Sequence, residues 1–159
     1  MALGLTPFRG NWESRWFETA SAATYPKGSL VNFNDAYRLK EYASTDSQVV
    51  GIALSYSTQS TSIRGLDMVE VALPTPNCTA YSDLTTGVTQ SSMSIGKKIS
   101  VYKQGNYMSY ASALIGEASR FSGIAQVVGP IDATRSRVEV SFNLEAVAFY
   151  SGSSATFAS

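Results

Sequence analysis

Side chains suited to acid–base, nucleophilic or metal chemistry are scarce in this 159-residue sequence: it has no histidine and one cysteine, Cys78. Without histidine there is no ordinary general base near neutral pH, no usual zinc ligand and no Ser-His or Cys-His nucleophile pair. A lone cysteine closes no intrachain disulfide and anchors no multi-cysteine metal site. Carboxylates are the remaining candidates. Asp67 and Glu70 are near in sequence, but an extended strand turns them to opposite faces. Glu139 lies between Val138 and Val140 and shares a face with Arg137, as a solvent-facing strand residue does. Asp132, Arg135 and Arg137 gather near a turn, where a surface ion pair is the ordinary outcome. No spacing forces two carboxylates together, as an acid–base pair requires. The expectation is a protein without catalytic, metal or cofactor-binding residues, and so not an enzyme.

Of three motif-like strings, two fail on their spacing and one on its context. Ser94-Ile95-Gly96-Lys97-Lys98 resembles a phosphate loop, but that loop needs a glycine five places before its Gly-Lys and Ser or Thr after it. Those places hold Ser91 and Lys98, so a turn leading into a strand is expected. Gly116 to Gly123 has glycines at both ends without a dinucleotide-loop spacing or a following helix, and reads as a hairpin connection. Asn77-Cys78-Thr79 matches a glycosylation acceptor, yet no secretory signal accompanies it, and Cys78 reads as a small, half-buried residue at a strand end.

The candidate binding residues lie in an aromatic N-terminal arm, residues 1–26. It carries Phe8, Arg9, Trp12, Arg15, Trp16 and Phe17, with both tryptophans of the chain among them. Tryptophan and arginine are enriched in interface hot spots. Glu13–Ala23 is the one segment that could make a helix of any length, and the four-residue step from Trp12 to Trp16 would place both rings on one face of a short helix. Two placements are open: docking on a neighbouring subunit, or folding back over the chain's own domain.

The elements that must position this arm are strands. Val138, Val140 and Phe142 alternate with polar residues, as do Val69, Val71 and Leu73, while Val31/Phe33 and Ile99/Val101 give shorter versions. Val49 to Leu54 reads as buried on both faces. Asn34-Asp35, Arg64-Gly65, Gln104-Gly105-Asn106 and Gly129-Pro130 supply turn chemistry. Strings also recur in order: Lys27-Gly28-Ser29-Leu30-Val31, Gly51-Ile52-Ala53 and Val69-Glu70-Val71 are answered by Ile95-Gly96-Lys97-Lys98-Ile99, Gly123-Ile124-Ala125 and Val138-Glu139-Val140. Two similar meanders would each leave an apolar face for the other to cover. The expected fold is all-β: a compact β-barrel, β-tulip or sandwich built from two similar β-meanders, with an extended N-terminal arm. The β-domain spans residues 27–150, with a possible repeat of 27–78 in 95–150, a Ser/Thr-rich connection over Thr79–Ser94, and a flexible tail at 151–159.

Charge narrows the partners. Charged residues are 15% of the chain, against about 25% in an average domain, and the net charge is zero. A nucleic-acid binder carries a basic excess, so none is expected as a partner. A charge-poor, neutral surface suits coverage by neighbouring subunits. Met1–Trp16 lacks the apolar stretch of a signal peptide, and no run approaches the roughly 20 residues of a membrane-spanning helix. Synthesis and folding in a cytoplasm, with no membrane partner, is the expectation.

The run Lys27-Gly28-Ser29-Leu30-Val31-Asn32-Phe33, then Val49 to Leu54, then Val69-Glu70-Val71-Ala72-Leu73 resembles the capsid decoration (cement) proteins of tailed bacteriophages. Those typically carry xKGxLVxL, VVGIAxx and GxxVxVxxxG in that order and often repeat the theme, as Ile95–Val101, Ile115–Ala118 and Arg137–Phe142 do here. The resemblance implies a β-barrel or β-tulip on the outer capsid surface of the virion, assembled in the host cytoplasm. It also implies a homotrimer that clamps major capsid protein subunits, with a terminal arm as part of the grip. The chain departs from the pattern at Leu73-Pro74-Thr75 and in the Thr79–Ser94 connection. A phage tail or fibre accessory protein, or a host-surface carbohydrate-binding module using Tyr37, Tyr42, Tyr56, Tyr102, Tyr107 and Tyr110, is the alternative.

Overall fold

Strands carry the regular structure of the computed structural model, which describes residues 4–20, 23–42, 48–58, 68–84, 94–101, 108–109, 125–144 and 147–149. In chain order they are β1 (Leu5–Arg9), β2 (Glu13–Glu18), β3 (Thr24–Tyr25), β4 (Leu30–Phe33), β5 (Leu39–Glu41), β6 (Gly51–Ala53) and β7 (Ser57–Thr58). After these come β8 (Met68–Leu73), β9 (Thr79–Asp83), β10 (Lys98–Val101), β11 (Met108–Ser109), β12 (Ala125–Val127) and β13 (Arg137–Phe142). One sheet has the order β1-β9-β13-β12-β10-β11, the other β2-β8-β6-β4-β5, and β3 and β7 form a separate ribbon. Neighbouring strands run antiparallel throughout. The fold is all-β, a two-sheet sandwich, and no closed barrel forms among the described residues.

Alternation explains why the sheets face each other. In β13, Val138, Val140 and Phe142 are buried while Arg137, Glu139 and Ser141 take the other face. Across the partner sheet Leu30, Ile52 and Ala72 stand in register on β4, β6 and β8. These two sets meet in one core together with Ala80, Ala125 and Val127. Full burial of each large aliphatic side chain there contributes roughly 1.5–3 kcal/mol. A second core lies on the other face of the five-stranded sheet, where Val31, Leu39, Val69, Val71 and Leu73 pack with Tyr25, Val50 and Ala148.

The five-stranded sheet curls strongly around that second core. Its two outermost strands approach at one corner, where Thr19, just after β2, forms a parallel bridge with Leu39 of β5. There the Ala20 N–H donates to the Leu39 carbonyl at 2.7 Å, and Arg38 Nε lies 3.5 Å from Glu18. The bridge is too short to complete a barrel wall.

The strands named by the recurring strings occupy matching places: β4, β6 and β8 are consecutive neighbours in one sheet, and β10, β12 and β13 in the other. Two sequence expectations need correction. Glu13–Glu18 is a strand paired along its length with β8, not a helix. Its aromatic and charged residues line an edge exposed on both faces, which erases the alternation that marks a strand. Likewise the Thr79–Ser94 connection opens with a strand, β9, held between β1 and β13. The tail 151–159 lies outside the described residues.

Candidate docking surface on the N-terminal strands

The N-terminal residues are spread over both sheets, with β1 at the edge of one and β2 at the edge of the other. The arm therefore packs against its own domain. A bulge between Pro7 and Arg9 interrupts the β1–β9 register, so Phe8 and Arg9 both come over the outer face of the six-stranded sheet. There the Phe8 and Tyr81 ring centroids are 4.3 Å apart. The Arg9 guanidinium lies 4.8 Å over Phe8, and that of Arg137 lies 3.8 Å over Tyr81. Arg9 Nε is 3.1 Å from Glu139, whose carboxylate also accepts the Thr79 hydroxyl at 2.6 Å. Alongside, Asp132 accepts the Arg135 N–H at 3.1 Å and pairs with the Arg135 and Arg137 guanidiniums. The Arg135 backbone N–H foremost, then the two guanidiniums, hold the Asp132 carboxyl below its ordinary range. Every charge in this group has a counter-charge, and each ring already neighbours the other and a guanidinium. The cluster fastens β1 to its sheet.

Trp12 and Phe17 are also used internally. The Trp12 indole N–H is shared between the Arg9 carbonyl at 3.1 Å and the Thr79 carbonyl at 3.2 Å. Its ring meets Phe142 edge-on at 6.1 Å, pinning the corner where the chain passes from one sheet to the other. Phe17 stacks on Phe149 at 5.6 Å and meets Phe33 at 5.5 Å, at the margin of the second core.

Arg15 and Trp16 are different. Glu13, Ser14, Arg15 and Trp16 are all exposed, and Trp16 keeps 57% of its surface. Trp16 lies opposite Glu70 and Glu18 opposite Met68, so Trp16 and the exposed Met68 share a face. The Ser14 hydroxyl donates to Glu70 at 3.0 Å. Backbone direction follows from β8. The Leu54 N–H donates to the Glu70 carbonyl at 2.8 Å, so Glu70 and Ala72 turn their polar groups toward β6, and Val69, Val71 and Leu73 turn theirs toward β2. In β2, Glu13, Arg15 and Phe17 therefore bond to β8, while Ser14 and Trp16 point their N–H and C=O groups outward. Among the described residues no strand pairs with that outward side of Ser14 and Trp16.

Of the six residues singled out from sequence, the structure thus leaves Arg15 and Trp16 presented, and Phe8, Arg9, Trp12 and Phe17 engaged within the chain. Tyr81 and Arg137, which complete the cluster around Phe8 and Arg9, and Met68, on the face of Trp16, leave no local signal in the sequence because strand pairing alone brings them there. Among the tyrosines, Tyr42 is buried, Tyr37 and Tyr56 are exposed, and Tyr102, Tyr107 and Tyr110 lie outside the described residues. Among the described residues no three His, Cys, Asp or Glu side chains converge as metal ligands. Cys78 is buried, with Sγ 2.9 Å from the Thr75 hydroxyl. Comparison with known proteins finds no matching family model and no matching curated relative.

Proposed function

We propose that the chain is a non-enzymatic structural protein of a tailed-phage virion, binding the outer capsid surface and stabilising contacts between major capsid protein subunits. The observation that carries the reading is the exposed sheet face that Trp16 shares with Met68, a hot-spot aromatic and a flexible apolar side chain left uncovered on one side of the β2–β8 pair. The likeness of Lys27–Phe33, Val49–Leu54 and Val69–Leu73 to decoration proteins supports it. Attachment works by apolar and backbone contact summed over several subunits. A neutral chain with few charges loses little of such binding to screening.

The test is co-sedimentation of purified protein with capsids from the phage that encodes it. The parent should stay bound through a high-salt wash, and Trp16→Ala should abolish binding while leaving thermal stability within about 0.5 kcal/mol of the parent. Release of the parent by salt alone, or unaltered binding by Trp16→Ala, would overturn the reading. A second reading, a tail or fibre module that stacks sugars, draws on the exposed rings of Tyr37 and Tyr56. Glycan binding by the isolated protein would favour it.

A further inference from the structure

We infer that the β2 edge pairs with the β2 edge of a second copy about a two-fold axis through Ser14. The inference does not rest on the capsid reading. An isologous antiparallel pair keeps each residue on its own face, so only positions both even or both odd in number stand opposite each other. The outward groups of Ser14 and Trp16 require even-numbered residues to form the hydrogen-bonded pairs.

Those two conditions leave few registers, and charge selects among them. Centring on Glu13 or Arg15 sets like charges directly opposite at the closest side-chain spacing. Centring on Trp16 or beyond drives the second strand into the corner where Leu39 already bridges Thr19. Centring on Ser14 avoids both faults. It places Glu13 opposite Arg15 of the second copy and Arg15 opposite its Glu13, giving two reciprocal ion pairs on one face. On the other face, Ser14 meets Ser14 with two backbone hydrogen bonds, and Trp16 comes opposite Trp12. Charges on an edge strand ordinarily discourage pairing. Here the two signs stand two residues apart on one face, the spacing that this register converts into attraction. Glu13 and Arg15 are both exposed, and neither has an ion pair among the described residues.

Sedimentation equilibrium of the full-length chain tests this without any capsid. The parent should associate to a dimer that weakens at high salt. Glu13→Arg and Arg15→Glu should each yield monomers, and the double variant Glu13→Arg/Arg15→Glu should dimerise again. Ser14→Cys should form an oxidised dimer that the parent, with its buried Cys78, does not, because the axial Cα atoms would stand about 5.5 Å apart, within disulfide range. A monomeric or trimeric parent, single charge reversals that still dimerise, or a double variant that stays monomeric would overturn the inference. Circular dichroism of each variant separates loss of pairing from loss of folding. Loss of capsid binding by a dimer would count against the proposed function alone.

Discussion

Gly28 and Gly96 perform the same task in the two sheets. Each has a left-handed backbone, with φ of +93° and +94°. Each donates its N–H at 2.8 Å to the paired chain two strands on, Gly28 to Ala53 and Gly96 to Val127. Each also sits in a turn closed by a neighbouring bond, Ser29 N–H to Pro26 and Lys97 N–H to Ser94. These turns launch β4 and β10, the strands that the recurring sequence strings place in equivalent positions. Local geometry therefore repeats where the sequence does, down to the backbone angle.

The surroundings of the two glycines differ, and substitution should reveal it. A Cβ on Gly96 meets nothing within 4 Å, whereas on Gly28 it would lie 3.2 Å from the Leu5 carbonyl oxygen. Gly96→Ala should cost about 1 kcal/mol from left-handed strain alone. Gly28→Ala should cost about 2 kcal/mol or more, because β1 must also shift. Urea denaturation of both variants checks the order; equal losses would mean that β1 yields freely.

What was legible in the sequence was what alternation encodes. Val138, Val140 and Phe142 showed their buried face because β13 has one wet side and one dry side, and Val69 and Val71 showed theirs because the exposed Met68 and half-buried Glu70 alternate with them before both faces of β8 close at Ala72. β2 did not, since an edge strand exposed at Glu13 to Trp16 has no dry side to mark its period. The Trp12–Trp16 spacing then imitated a helix. The docking surface was half legible for a related reason: residue type pointed to all six N-terminal candidates, but only pairing across strands decides which are consumed. Phe8 is met by Tyr81 and Trp12 by Phe142, partners far along the chain.

Tyr25 should shape the alkaline limb of stability. Its hydroxyl is 3.0 Å from Thr19 Oγ1 in the buried corner where β2 meets β5. Burial pushes the phenol above its ordinary 10.0, against the pull of hydrogen bonds from Thr19 and Ser57. Because the folded value exceeds the unfolded one, the unfolded chain ionises first. The contribution of Tyr25 is thus complete below about pH 10 and is lost as pH rises through the folded value. Tyr25→Phe should cost about 1 kcal/mol at neutral pH, and the gap to the parent should narrow as pH rises past that range. Parallel denaturation curves at both pH values decide it; a gap that widens would reverse the sign.

Tyr37 holds a conformation that its side chain does not favour. It lies in the β4–β5 hairpin with φ of +58°, its ring 71% exposed, while Asn34 Oδ1 accepts the N–H groups of Ala36 and Arg38 at 3.0 Å each. Tyr37→Gly should raise stability by about 1 kcal/mol by relieving that strain. A melting-temperature increase without change in capsid binding would assign the ring no part in docking. An increase paired with weaker capsid or glycan binding would identify Tyr37 as a residue kept for contact at a cost in stability.

Tyr81 tests whether the outer cluster fastens β1. Phe8 leans on it, Arg137 lies over it, and its position on β9 is opposite both Thr6 and Glu139. Tyr81→Ala removes the ring platform yet leaves the β1–β9 backbone ladder and the Arg9–Glu139 pair in place. The aromatic and cation–π contacts together are worth roughly 1–2 kcal/mol. The loss should be local, because the core behind the sheet is formed by Ala80, Val138 and Val140 and not by Tyr81. Hydrogen exchange should therefore accelerate at the Thr6 amide of β1, which stands opposite Tyr81, well before the amides of β13. Uniform acceleration across both strands would mean that the cluster supports the whole sheet, and Arg137→Ala would then be expected to reproduce the effect.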